Sequence, residues 1–126
     1  MKLHLNTSQG QNAITGHGEG YIAVNYQQFE HAVIVMPTAP VVRWHIADFS
    51  NDTVAPKLAD FECVLALSPE LVVFGSGKIF RFPESAIMAA FARAKIGFEV
   101  MDTPAACRTY NVLMSEGRNV AAALLV

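Results

Sequence analysis

The second half of the chain alternates short apolar runs with segments of helical spacing, and this alternation restricts the fold more than any other feature. Short strands are predicted at residues 71–74, 98–101 and 120–126, and the continuous apolar run at 71–74 is typical of a strand buried on both faces. Two amphipathic segments, which open at Pro83 and Pro104, separate these runs. Strand, helix, strand, helix and strand joined by short loops predict a parallel sheet with right-handed helical crossovers.

The limits of these two helices are predicted from residues that cap or end a helix. The first helix should end at Gly97, because glycine readily adopts the conformation found after a helix C-terminus. The second should begin with Thr103 as its cap ahead of Pro104, and should end at Glu116 and Gly117.

The N-terminal part of the chain shows the shorter period of β-strands. Apolar residues cluster at positions 3–5, 21–26, 32–36 and 41–44, which predicts antiparallel strands. Residues 16–20 read Gly-His-Gly-Glu-Gly. Three glycines in five positions favour a mobile loop, with a flap that clasps a ligand as the alternative.

A further helix is predicted between these two regions. Capping side chains at residues 50–53 precede it, and it should stop near Pro69. Its apolar positions are Leu58, Phe61, Val64 and Leu65. The predicted fold class is therefore α/β, a layered sandwich whose mixed sheet combines antiparallel N-terminal strands with parallel βαβαβ units. Residues 1–126 are expected to form one domain.

Composition excludes several classes of protein. Hydrophobic residues make up 52% of the chain and charged residues 16%, unlike a disordered protein. The net charge of −2 and the lack of a basic run argue against nucleic-acid binding. No apolar stretch approaches the roughly 20 residues that span a bilayer, and the first residues lack a signal-peptide pattern. A cytoplasmic location is therefore expected.

The two cysteines, Cys63 and Cys107, lack zinc-ligand spacing. We therefore expect free thiols, no metal and no cofactor.

Two turns provide the candidate site, because open parallel sheets bind ligands beyond the carboxyl ends of their strands. The residues of this candidate crevice are Gly75, Ser76, Gly77 and Lys78 in the first turn, Asp102 and Thr103 in the second, and Cys107, Arg108 and Asn111 in the helix behind them. The glycine turn and its lysine suit an anion, with a plain turn as the alternative. The turn is not a nucleotide-binding P-loop, because Ile79 replaces the Ser or Thr that binds metal.

Cys107 has three interpretations: a catalytic nucleophile, a packed small residue, or a residue that takes part in redox chemistry or contacts a ligand. A helix N-terminus and the adjacent Arg108 would both favour a reactive thiolate. The alternative is a packed small residue, and the C-terminal half contains no histidine to serve as a general base. No catalytic residue is assigned.

The helix that carries Cys107 is unusually apolar. Its polar stripe consists of Arg108, Asn111 and Ser115. Apolar or small residues spread over more than half of the helix circumference: Ala105, Ala106, Val112, Leu113 and Met114. Either a further layer of the fold or a partner protein should cover this surface.

Two segments carry a resemblance to a known family. Residues 100–118, VMDTPAACRTYNVLMSEGR, and the segment from Pro69 to Gly77 resemble the small domain-of-unknown-function family that includes the mitochondrial complex I assembly factor 3. The resemblance implies an α/β sandwich with a mixed sheet. It also implies a non-enzymatic role in which the protein binds partner proteins, including subunits of a respiratory complex.

Two functions are therefore considered. The first is a protein-interaction or assembly-factor-like domain, which the apolar helix and the resemblance favour. The second is a small-molecule or anion-binding protein, or an enzyme, that uses the crevice between the two turns. The sequence leaves the activity, the partner, the ligand and homo-oligomerisation open.

Overall fold

The computed structural model describes residues 10–46 and 56–126. Within these ranges the chain forms eight strands and three helices: β1 (Ile14–Gly18), β2 (Tyr21–Val24), β3 (Gln27–Phe29), β4 (Val33–Val35), β5 (Val42–Arg43), α1 (Leu58–Ala66), β6 (Leu71–Gly75), α2 (Ser85–Arg93), β7 (Gly97–Met101), α3 (Thr103–Ser115) and β8 (Val120–Leu124). The predicted strand near residues 3–5 and the predicted capping cluster at 50–53 lie outside the described residues.

The main sheet has five strands in the order β5-β4-β8-β6-β7. Strand β6 runs parallel to both β7 and β8, whereas β4 runs antiparallel to β8 and to β5. This arrangement confirms the predicted α/β fold with a mixed sheet. All five residues of β8 are buried, because layers cover both faces of the sheet at this strand.

The first three strands form a separate antiparallel sheet in the order β1-β2-β3. The prediction of a loop at residues 16–20 is therefore wrong for most of that segment: Gly16, His17 and Gly18 pair with β2. Only Glu19 and Gly20 form the turn, and Gly20 has a φ of +73°. Glycine content suggested flexibility, but cross-strand hydrogen bonds order the segment.

Helices α1 and α2 cover one face of the main sheet. Val72 and Phe74 of β6 point to this face, as the alternation of side chains along a strand requires. The aromatic rings there meet edge to face: the Phe61 centroid lies 5.1 Å from that of Trp44 and 5.3 Å from that of Phe74. Trp44 also donates its indole N–H to the carbonyl of Asp60 at 2.7 Å. The buried residues of this face form one hydrophobic core.

Helix α3 lies on the opposite face, between the two sheets. Its buried Cys107, Tyr110 and Met114 share one hydrophobic cluster with Val73 of β6 and with residues of the three-stranded sheet. The contributing residues of that smaller sheet are Ile14, Ile22 and Val24. A further layer of the same chain therefore covers much of the apolar surface of this helix, and Val112 remains 55% exposed.

Three predicted helix limits are wrong by a few residues. Helix α2 begins at Ser85 instead of Pro83 and ends at Arg93. Gly97 does not end the helix but begins β7, because Lys95 already takes the left-handed conformation after the helix, with a φ of 62°. Asp102, and not Thr103, caps α3: its carboxylate accepts the Ala105 N–H at 2.9 Å.

Candidate functional site

The two candidate turns lie side by side, because β6 and β7 are parallel neighbours. The Gly77 N–H donates to Thr103 Oγ1 at 2.8 Å, and the Thr103 N–H donates to the Gly77 carbonyl at 2.8 Å. The Ser76 N–H likewise donates to the Met101 carbonyl at 2.8 Å. The turns are thus joined directly by hydrogen bonds, which leave no open space between these backbone groups.

Thr103 connects three segments of the chain. Its hydroxyl accepts from Gly77 and donates to the Leu125 carbonyl at 2.7 Å, and the residue is 7% exposed. A side chain at Gly75 would not fit beside it, since a Cβ there would lie 2.9 Å from Thr103 Oγ1. The threonine is therefore a structural link between the ends of β6 and β8 and the start of α3.

The glycine turn uses its own polar groups internally. Ser76 donates its hydroxyl to the Ile79 carbonyl at 2.8 Å and accepts the Arg81 N–H at 3.0 Å. The amides of Ser76 and Gly77 donate to protein acceptors, so neither is available to an anion. The Asp102 carboxylate occupies the N-terminus of α3 and adds negative charge there. This geometry agrees with the plain-turn alternative.

Burial suppresses the reactivity of Cys107. The residue is 2% exposed, and the loss of solvent around the thiol raises its pKa to about 12, although the nearby Arg108 acts in the opposite direction. A thiol with such a pKa carries almost no thiolate near neutral pH. Cys107 thus agrees with the packed-residue interpretation, and Cys63 is the exposed free thiol of the chain.

Asn111 fastens the three-stranded sheet to α3. Its amide accepts the Ile14 N–H at 2.9 Å and donates to the Ile14 carbonyl at 2.8 Å, as a neighbouring strand would. Tyr110 adds a bond from its hydroxyl to the Asn12 carbonyl at 2.7 Å. Cys107, Arg108 and Asn111 border a shallow depression beside β1, which is separate from the two turns.

A cleft of about 250 Å³ lies between the β1–β2 hairpin and the two turns. Its lining residues are His17, Gly18, Glu19, Gly20 and Tyr21 of the hairpin, with Gly77, Lys78, Thr103, Pro104, Leu125 and Val126. Lys78 and Glu19, one from each side, form an ion pair of 3.2 Å. Of the predicted site residues, Gly77, Lys78 and Thr103 therefore line this cleft.

The hairpin residues of the cleft were not assigned to the site from the sequence. The only signal for them was the glycine-rich stretch at 16–20, for which a ligand-clasping flap was the alternative interpretation. Strand β1 is far from the two turns in sequence, and only the packing of the smaller sheet on α3 brings the hairpin to this edge of the main sheet.

Neither a spanning helix nor a metal cluster is found in the part of the chain that the structure describes. No helix within residues 10–46 and 56–126 is long and apolar enough to cross a bilayer. No three metal-ligating side chains converge within the same ranges.

Comparison with known proteins identifies two kinds of relative. The chain is 27% identical over 107 residues to the 13 kDa major membrane protein of Francisella tularensis, covering 85% of each chain. It is 36% identical over 90 residues to the human NADH dehydrogenase [ubiquinone] 1 alpha subcomplex assembly factor 3, covering 68% of this chain and 45% of the human protein. The chain therefore spans about half the length of this human relative.

Solved structures share the fold as well. A solution structure from Bordetella pertussis, described as a Mth938-like domain, has 30% sequence identity and a TM-score of 0.71 and covers 99% of this chain and 92% of its own. Residues 14–125 match the family described as Protein of unknown function (DUF498/DUF598). This match takes in both candidate turns, α3 and every strand described above, and the chain belongs to that family.

Proposed function

We propose that this protein is a non-enzymatic binding domain that holds another protein, in the manner of an assembly factor. The observation that carries the proposal is the burial of Cys107, the strongest candidate nucleophile, whose pKa is raised to about 12 by loss of solvent. Thr103, Asp102 and Asn111 are each hydrogen-bonded to backbone groups. These three polar residues therefore support the fold, and binding is the function best supported.

The relatives support a protein partner. The human relative is named an assembly factor of NADH dehydrogenase, and subunits of a respiratory complex are the partners we propose for this chain. The apolar helix α3 gives less support than its sequence suggests, because the smaller sheet covers much of it. The cleft with its exposed Lys78 and Glu19 is the proposed contact surface.

A charge reversal in the cleft tests this proposal. The tagged chain is produced in a bacterium that has a respiratory NADH dehydrogenase, and bound proteins are cross-linked and identified. We expect the native chain to capture a respiratory subunit in stoichiometric amount and Lys78→Glu to lose it. Arg93→Glu, at an exposed position on α2, is the matched control and should keep the partner. Equal capture by all three proteins, or capture by none, would contradict the proposal.

A small ligand in the cleft is the second candidate. The cleft of about 250 Å³ is slightly below the range of typical ligand pockets, so only a compact molecule would fit. The exposed Lys78 and the imidazole of His17 favour an anionic one. A thermal-shift screen tests this, since a ligand at about 100 times its Kd adds about 2.7 kcal/mol of stability. The shift should disappear in Lys78→Ala.

A further inference from the structure

The loop between β6 and α2 exposes large apolar side chains. Ile79 is 56% exposed, Phe80 48% and Phe82 66%. We call residues 78–83 the aromatic loop. Elsewhere in residues 10–46 and 56–126 the exposed large hydrophobic residues stand one to an element or turn: Tyr26, Val42, Leu67, Met88, Val112 and Val126. Scattered single residues are normal on a protein surface, whereas a contiguous group indicates contact with another apolar phase.

The aromatic loop has a fixed shape. The Ser76 hydroxyl bonds to the Ile79 carbonyl and to the Arg81 N–H, which closes a tight turn at its base. The rings of Phe80 and Phe82 contact each other edge to face, with centroids 4.9 Å apart, and are not members of either hydrophobic core. The two aromatic rings are thus exposed to water in a defined position. Binding therefore does not carry the free-energy cost of ordering this loop.

Cationic residues are interleaved with the apolar ones. Lys78 precedes Ile79, and Arg81 lies between the two phenylalanines. Lys78 makes an exposed ion pair with Glu19, which solvent screens strongly. The Arg81 guanidinium lies 3.5 Å from the Ser76 carbonyl and so stays at the base of the loop. Acidic residues are absent from positions 78–83, and Glu84 follows them.

We propose that the aromatic loop docks the protein on an anionic lipid surface, with Ile79, Phe80 and Phe82 inserted among the lipids. Basic side chains next to apolar ones are the pattern that combines insertion with attraction to anionic headgroups. A stable protein interface needs about 20–30 residues on each side. Three protruding side chains fall well short of that number, but they suffice for shallow insertion into a bilayer interface.

Vesicle flotation tests the proposal with the full chain. We expect the native protein to float with vesicles of phosphatidylcholine and phosphatidylglycerol, and to float less with phosphatidylcholine alone. The double variant Phe80→Ser with Phe82→Ser should lower the partition coefficient about a hundredfold. Lys78→Gln should lower it about fivefold, on the anionic vesicles only.

Val112→Ser is the matched control, because this exposed apolar residue lies on α3, away from the loop. It should leave flotation unchanged, and circular dichroism should confirm that every variant is folded. Equal flotation of the native chain and the double variant would overturn the proposal, as would no flotation at all. A native chain that ignores vesicles but self-associates through the phenylalanines would assign the loop to a second copy instead. The cleft is intact in the double variant, so partner capture is tested independently.

Discussion

Thr103 links two segments at the end of the main sheet. Its single hydroxyl serves two backbone groups from different segments, Gly77 and Leu125, in a buried position. Such a residue is read from the sequence as a helix cap or a site residue. Its role as a link is set by its hydrogen bonds to Gly77 and Leu125, which lie 26 and 22 positions away along the chain.

Replacement of Thr103 by the isosteric valine should destabilise the protein. Thr103→Val leaves a buried N–H and a buried carbonyl without this hydroxyl, and we expect the free energy of unfolding to fall by roughly 2–4 kcal/mol. Urea denaturation measures the change. Thr103→Ser keeps the hydroxyl and should lose no more than about 1 kcal/mol. A loss in Thr103→Val no larger than that in Thr103→Ser would show that the hydrogen bonds of the hydroxyl stabilise this position no more than the methyl group does.

Cys107 should make the protein sensitive to alkaline pH. In the unfolded chain a cysteine has a pKa near the ordinary value of 9.0, whereas burial raises that of Cys107 to about 12. Because the unfolded chain then loses the thiol proton first, stability is fully present below pH 9 and declines as the pH rises toward 12, by up to about 1.4 kcal/mol per unit.

The comparison that isolates this effect is the slope of unfolding free energy against pH. Cys107→Ala should flatten the slope just above pH 9, before tyrosine begins to titrate in the unfolded chain near its ordinary pKa of 10.0. Cys63→Ala is the control and should change the slope less, because the Cys63 thiol is exposed. Unchanged slopes in Cys107→Ala would mean that Cys107 is accessible to solvent.

At the scale of elements, the attachment of the three-stranded sheet depends on α3. Hydrogen bonds from Tyr110 and Asn111 hold Asn12 and Ile14, and apolar packing adds Ile22 and Val24. The smaller sheet therefore behaves as a cover for the helix. It also forms one wall of the cleft, so its attachment determines whether the cleft exists.

Removal of the Asn111 amide should loosen this cover. In Asn111→Ala the Ile14 N–H and carbonyl lose their partners, and we expect amide hydrogens of β1 and β2 to exchange about tenfold faster or more. Amides of β6 should be unaffected. Val112→Ala, at the adjacent exposed position, is the control and should exchange like the native protein. Uniform acceleration across both sheets would show that the smaller sheet does not open separately.

At the scale of the whole molecule, one hydrophobic cluster joins the two sheets through α3. We propose that residues 1–126 form a single cooperative unit. Two probes on opposite faces test this: the fluorescence of Trp44, which packs against Phe61 under α1, and thiol labelling of Cys107 beneath the smaller sheet. Labelling is done in Cys63→Ser, so that only one thiol reacts. The two urea midpoints should coincide, and separate midpoints would indicate two domains.

Local patterns determined much of this fold. The apolar run at residues 71–74 predicted a strand buried on both faces, and Val72, Val73 and Phe74 are each fully buried. The segment from Pro104 to Ser115 predicted α3 almost to its limits. Both predictions depend on side chains a few residues apart, whose burial and helix-capping preferences act locally.

Only the tertiary structure decided what those elements do. Asn111 was predicted to line the crevice. In the structure its amide bonds to Ile14, a residue 97 positions away, and so holds strand β1 against α3. The sequence required some cover for the apolar helix α3, but it did not specify that the first three strands supply it. The periodicity of apolar residues indicates which face of a helix or strand is buried. Which segment covers that face depends on packing between residues far apart in the chain, and a local pattern does not indicate it.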